Sequence, residues 1–375
     1  MVSLARSSLI HESRRYLAAV LAVTFAGLLV LVQLALLLGM FASVSLPVDE
    51  SGADLWIGFR DTQSVDLGRG VSRHADAAAR MHPDVARVER YSSILGDVRR
   101  PDGVAISVYV HLVDTRPGAL AFDKVLTPGR RALLAEPDAL IIDAADQRKL
   151  GVEVGAIVEI NGRRVRIADI VDGIRAIGGA SAIASFATGR RLESPRHDDE
   201  PNYFLVRLAP GADPDRVAAE IADGGPVKRY SVWRAEDFSV RSQLYWLLES
   251  GAGVGAGVAS LLGLLVGAVV TSQTLSAAIL ASLKEYATLR ALGVSNASLR
   301  NVVLEQAAWI GLVGLGLTAV LATGVGVAAD AHNVAMRFPP WLVAGTAATV
   351  LAIALASGLV ALRPLFRADP ANLLR

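Results

Sequence analysis

The chain has 375 residues, a mean hydropathy of +0.43 and only 19% charged residues, too apolar for an ordinary soluble protein of this length. A formal net charge of +1 gives no basis for nucleic-acid binding. The absence of cysteine excludes disulfide, zinc-finger, thiol-redox and iron–sulfur chemistry that depends on thiols.

The apolar residues are gathered rather than spread. No Asp, Glu, Lys or Arg occurs in 16–48, 250–283, 306–329 or 338–362. Each stretch exceeds the roughly 20 residues that cross a bilayer as a helix. Residues 49–249 are charged throughout and read as one folded aqueous domain. The expected fold class is therefore an α-helical membrane protein with four transmembrane helices and an α+β periplasmic domain between spans 1 and 2. The expected divisions are an N-terminal segment (1–15), span 1 (16–45), the outer domain (46–240), a stalk with span 2 (241–282), a bend (283–300), span 3 (301–329), a short loop (330–339), span 4 (340–362) and a tail (363–375).

Orientation follows from the flanking charges. The segments 1–15, 284–305 and 363–375 carry the basic residues Arg6, Arg14, Arg15, Lys284, Arg290, Arg300, Arg363, Arg367 and Arg375, whereas Arg337 is the one Lys or Arg of the 330–337 loop. The positive-inside rule places the three basic segments and both termini in the cytoplasm, and the large domain outside. The first apolar run is too long for a signal-peptide core of 7–15 residues and is expected to stay as a span. Within it, Gln33 is expected to act as polar glue between helices.

The outer domain opens with "ADLWIGF" (53–59), a strand by composition, and "SRHADAAARM" (72–81), a helix capped by Ser72. "VARVERYSSI" (85–94) and "AISVYVHLVD" (105–114) alternate as strands. "ALIIDAADQRKLGV" (139–152) reads as a strand and a helix ending at Gly151, and 156–173 as a hairpin turning at Asn161-Gly162. "NYFLVRLAPGADPDRVAAEIADGGPVKRYSVW" (202–233) is a βαβ unit, with Asp213 as cap, Pro214 in the first turn and Gly224-Gly225 as the stop. Split βαβ halves thus enclose an inserted β-rich subdomain. "RAEDFSVRSQLYWLLES" (234–250) is expected to run on as helix into span 2, forming a stalk.

Several motifs carry no chemistry. "GAGVGA" (251–256) fits G-x-G-x-x-A, but no strand precedes it and it lies in a span. Gly251, Gly255, Gly263 and Gly267 are instead expected to let helices approach closely, within the chain or across a dimer. "RHDDEPN" (196–202) reads as a solvated loop rather than a cation site. There is no G-x-S-x-G, no H-E-x-x-H and no Walker A sequence, so catalytic and metal residues are expected to be none. The spans carry no charge of the kind that marks ion-coupled transport.

Between spans 2 and 3, Lys284 to Leu292 can form a helix, Gly293 suits its left-handed end, and Ser295 can cap the next helix. On the residues alone, a stiff elbow and an ordinary interfacial turn stand equal. "EYATLRALGVSNASLRNVVLEQA" (285–307) resembles the same region of FtsX-like and MacB-type ABC transporter permeases, in which a Glu, then L-R-A-L-G, then a Glu early in the next helix recur. "LRPLFRADPANLLR" (362–375) resembles that family's closing segment, and "FAGLLVLVQLALLLGMF" (25–41) followed by "ADLW" is similar to the DevC subgroup.

The resemblance implies a non-catalytic permease of a type VII exporter for a lipid-like, glycolipid or peptide substrate. It also implies a cytoplasmic ABC ATPase partner docked on Lys284, Glu285, Tyr286, Leu289, Arg290, Leu292 and Gly293, with ATP and Mg on that partner and no cofactor on this chain. A homodimer or a pairing with a paralogous permease, a periplasmic adaptor and an outer-membrane channel complete the expected partners besides the lipid bilayer. The alternative implied is an FtsX-like signalling subunit that regulates a periplasmic cell-wall hydrolase without moving cargo.

Overall fold

The computed structural model describes residues 13–100, 103–176, 178–192, 200–223, 230–249, 251–281, 288, 294–332 and 334–361. The chain divides into a helical unit, built from its first 39 residues and from Ala252 onward, and an outer unit, Met40–Gly251.

Among the described residues, four helices are long and apolar enough to cross a membrane: α1 (Ser13–Asp49), α8 (Ala252–Ala281), α9 (Asn296–Ala331) and α10 (Pro340–Ala361). In the helical unit their shared core joins Tyr16, Ala19 and Val23 of α1, Leu275 and Ile279 of α8, Leu299, Val303, Ala307 and Ile310 of α9, and Val350 and Ala361 of α10. Leucines and valines on the other faces, such as Leu261, Leu265, Val320 and Val343, are exposed. That is the pattern of a bundle whose solvent is lipid, where a helix can be apolar all round.

The outer unit contains two β systems that share one strand. Strand β2 (Val85–Arg99) is 15 residues long. Its first half pairs antiparallel with β8 (Tyr203–Leu208), which pairs with β1 (Leu55–Phe59), which pairs with β9 (Tyr230–Arg234). Period-2 alternation gives this sheet two apolar faces. Leu55, Ile57, Phe204 and Val206 face α2 (Arg73–Met81) and α6 (Pro214–Ala222), while Trp56, Tyr203 and Leu205 face the opposite way. The helices begin as their sequences dictate. Ser72 Oγ accepts the His74 N–H, and the Asp213 carboxylate accepts the Asp215 N–H beside Pro214 in the first turn.

The second half of β2 enters a closed ring. It pairs with β3 (Ala105–Val113), then in turn follow β7 (Ala180–Ser185), β4 (Ala139–Asp143), β6 (Arg163–Val171) and β5 (Ile157–Ile160), which returns to β2. Closure removes free strand edges. The ring encloses Val108, Val110, Leu112, Leu140, Ile142, Val165, Ile167 and the small Ala180, Ala182 and Ala184. The β5–β6 turn has Asn161 and Gly162 at φ 49° and 78°, the left-handed pair of a type I′ turn. Helix α4 (Ala144–Leu150) stops at Gly151 with φ 69°. Further α-helices of the outer unit are α3 (Pro128–Ala135), α5 (Phe186–Leu192) and α7 (Ala235–Glu249).

Two expectations change. The expected unbroken stalk is two helices: α7 ends at Glu249, Gly251 takes φ 72°, and α8 starts at Ala252. Glycine adopts that angle at little cost, and the run Gly-Ala-Gly-Val-Gly is too weak a helix former to prevent the break. Helix α1 outlasts the expected span boundary at 45, and its last turns supply Val44 and Val48 to the outer unit's core. The 196–202 loop and the Gly224-Gly225 stop fall largely outside the described residues, and α6 is already closed by Asp223.

Candidate functional site

The residues expected to dock the ATPase, Lys284, Glu285, Tyr286, Leu289, Arg290, Leu292 and Gly293, lie outside the described residues. The helix on their C-terminal side is described from its cap onward. Ser295 caps α9, its Oγ accepting the Ser298 N–H at 3.2 Å, and Val303, Ala307 and Ile310 then anchor that helix in the bundle.

The expected packing glycines separate into two pairs. A Cβ on Gly263 would meet Leu29 Cδ2 at 2.8 Å, and one on Gly267 would meet Ala26 Cβ at 2.6 Å. Those two glycines therefore seat α8 against α1 of the same chain. Gly251 and Gly255 have nothing within 4 Å of an added Cβ, and Gly251 is not helical. A second seam, not anticipated from sequence, joins α1 to α9. Gly27 and Gly314 face Thr318 and Val23 at 2.9 and 2.6 Å from an added Cβ, Thr24 Oγ1 donates to Gly314 O at 3.3 Å, and Thr318 Oγ1 donates to Thr24 O at 3.2 Å. Threonines three or four residues from a glycine in apolar runs were the available signal. Gln33, expected as glue, is half-buried.

In the outer unit a cavity of about 80 Å³ is lined by Ser43, Val44 and Pro47 of α1, Val65 and Asp66, Tyr91 and Ser93 of β2, Tyr109 and His111 of β3, Arg175, Ala176, and Trp246 of α7. The register pairs Ser93 with His111, which places the odd-numbered side chains of both strands on one face. Tyr91 Oη and His111 Nδ1 are 2.7 Å apart and buried. Burial lowers the His111 pKa to about 4, so its imidazole is neutral, and pushes the Tyr91 phenol far up. Trp246 Nε1 donates to Asp66 Oδ1 at 3.1 Å, and Ser64 Oγ donates to the same oxygen.

A second concavity, of about 380 Å³, is polar and is lined by Glu89, Asp114, Arg116 and neighbours. It adjoins a structural clamp. The buried Glu89 carboxylate accepts the Leu120 and Ala121 N–H groups at 2.7 and 3.2 Å, and the buried Arg131 guanidinium donates to the carbonyls of Asp114, Ala119 and Ala121. Burial raises the Glu89 pKa, with the two N–H bonds opposing it, and lowers that of Arg131, with the Glu89 charge opposing. Among the described residues no group of three His, Asp or Glu could hold a metal ion.

An α+β domain inserted after the first of four apolar helices defines a class: multi-span membrane proteins whose extramembrane mass is one large loop domain. The comparisons make it specific. The MacB-like periplasmic core domain matches residues 16–223, and the FtsX-like permease C-terminal domain matches residues 257–370. The chain belongs to the FtsX-like, MacB-type family of ABC transporter permeases. Members of this family work with cytoplasmic ABC ATPases and are generally non-catalytic, and the apolar helices with a MacB-like periplasmic domain make this an inner-membrane protein with a periplasmic domain.

Among solved structures, the periplasmic region of MacB from Actinobacillus actinomycetemcomitans is similar at 11% identity, over 52% of this chain and 94% of that one, with a TM-score of 0.35. The extracellular domain of the ABC-type transporter YknZ from Gram-positive bacteria is similar at 13%, over 48% and 99%, with a TM-score of 0.32. A permease domain from Porphyromonas gingivalis is similar at 15%, over 50% and 92%, with a TM-score of 0.34. Comparison with curated proteins finds no match.

Proposed function

We propose that the chain is the membrane subunit of a type VII, DevC-like ABC exporter. ATP binding and hydrolysis on a separate cytoplasmic ATPase move the 283–293 bend, and the motion passes through the helices to the periplasmic domain. There it drives export of a lipid-like, glycolipid or peptide substrate. The permease acts as a dimer, homomeric or paired with a paralogue, with a periplasmic adaptor and an outer-membrane channel. The chain itself binds no cofactor; ATP and Mg sit on the partner.

The observation that carries this is the tandem of two family matches in the order periplasmic core domain, then permease domain, over a chain without a Walker A sequence. The uncharged spans favour motion transmitted past the membrane over cargo conducted through it. Co-expression with the cognate ATPase tests the docking residues. In Leu289→Asp with Leu292→Asp, the ATPase should no longer co-purify, while Gly293→Pro should keep some binding but lose the permease's effect on ATP turnover. Wild-type co-purification and turnover in both variants would overturn the assignment of the bend.

A further inference from the structure

The cavity behind the Tyr91–His111 pair presents hydrogen-bond donors that the protein does not use. Tyr91 has no hydrogen-bond partner for its hydroxyl other than His111 Nδ1 among the described residues. If Nδ1 carried the proton, the buried phenol hydrogen would be left without an acceptor. Tyr91 therefore donates, and the neutral imidazole carries its proton on Nε2. That nitrogen has no partner among the described residues, yet it is not sealed from solvent-accessible space. The same holds for Tyr109 Oη, Ser93 Oγ and the half-buried Arg175 guanidinium, which has no carboxylate within 4.0 Å among the described residues. One acid shares the cavity, Asp66, and its Oδ1 already accepts from Trp246 and Ser64. Val44, Pro47, Val65 and the Trp246 ring supply the apolar part of the wall.

Four unused donors, one of them a permanent cation, beside an apolar wall suit an acceptor-rich anion attached to an apolar body. Drug-sized ligands occupy pockets of about 300–1,000 Å³. A space of about 80 Å³ admits only a group of a few heavy atoms, such as a phosphate or carboxylate with its first carbons.

We propose that the cavity between the end of α1, strands β2 and β3, and α7 binds the anionic headgroup of an amphiphile, held by Arg175, His111 Nε2, Tyr109 and Ser93. The site is independent of ATP-coupled export; a permease that only signalled would bind the same ligand.

The test uses the full chain in maltoside micelles, with dodecyl phosphate as probe and bound ligand counted by native mass spectrometry. One dodecyl phosphate should be retained per chain. Arg175→Gln should weaken retention about tenfold or more and Tyr109→Phe about threefold, the usual effects of losing a charged and a neutral donor. Asp66→Asn should tighten it, and Arg99→Gln, an exposed arginine at the far end of β2, should leave it unchanged. Equal retention in Arg175→Gln, equal loss in Arg99→Gln, or weakening in Asp66→Asn would overturn the proposal, as would inorganic phosphate competing as well as the amphiphile. The source is read separately. A membrane lipid should co-purify with wild type and not with Arg175→Gln, whereas a ligand from the periplasm leaves the purified site free to take up the added probe; neither co-purification nor uptake would sink the site.

Discussion

At the scale of single residues, the outer unit keeps a histidine neutral by burying it. His111 is 7% exposed, stacks near Tyr91 and Phe122, and has its pKa lowered by burial to about 4. An unfolded histidine titrates near 6.5. Between these values the unfolded chain binds a proton that the folded chain does not, so stability falls as pH falls. The contribution is complete above about pH 6.5 and is lost toward pH 4, a change of about 3 kcal/mol. Glu89 and Asp146 act with the opposite sign. Burial raises both, so the folded chain holds their protons at pH values where the unfolded chain has lost them, and each gives back stability as the pH falls toward its ordinary value, 4.5 or 3.8. Comparison with His111→Gln, which retains an acceptor for the Tyr91 hydroxyl, isolates the histidine. Followed by tryptophan fluorescence during thermal unfolding of the full chain, wild type should lose stability more steeply than the variant between pH 7 and 4.5. Parallel pH profiles would contradict the neutral buried imidazole.

At the scale of elements, glycine spacing alone did not tell helix contact from helix break, and the structure separates the two. Gly267 faces Ala26 Cβ at 2.6 Å from an added Cβ, so Gly267→Leu should force α8 from α1 and cost about 1–3 kcal/mol, as overpacking does. Gly255 is helical with open space, and Gly255→Ala should stabilise by about 0.5–1 kcal/mol. At Gly251, whose φ is 72°, the same change to Ala should cost about 1 kcal/mol. Thermal melts of the three variants in detergent check the signs; a destabilised Gly255→Ala would mean that another copy packs there. Strands written in aromatic and β-branched residues, such as "LWIGF", "YVHLV" and "YFLVRL", were legible, as were the caps at Ser72, Asp213 and Ser295. The strand "ASAIAS" was not, because alanine and serine have little strand preference and only its place in the ring, against Val108–Val113 and Leu140–Ile142, makes small residues fit. The donor-lined cavity was equally hidden. Its wall draws on residues from Ser43 to Trp246, and nothing local relates Arg175 to His111.

At the scale of the whole molecule, orientation is set by short flanking segments, since a domain of about 200 residues crosses irrespective of its own charges. Nine basic residues in 1–15, 284–305 and 363–375 oppose the one in 330–337. Trp341, exposed at the start of α10, suits the interfacial level next to that poorly charged loop. The proposed orientation puts both termini and the 283–300 bend on the side of the ATPase, opposite the periplasmic outer unit. The absence of cysteine makes this directly measurable, because any introduced thiol is the only one present. Three exposed sites report the two sides: Arg99 on the ring, Val334 in the short loop and Ala297 in the first turn of α9. With a membrane-impermeant maleimide, Arg99→Cys and Val334→Cys should label in cells whose inner membrane is intact. Ala297→Cys should label only after that membrane is opened. Labelling of Ala297→Cys in intact cells would put the bend beyond reach of any nucleotide-driven partner, and the exporter assignment would fall with it. Failure of Val334→Cys alone would instead show that α9 and α10 do not both span, leaving the outer unit's placement to rest on Arg99.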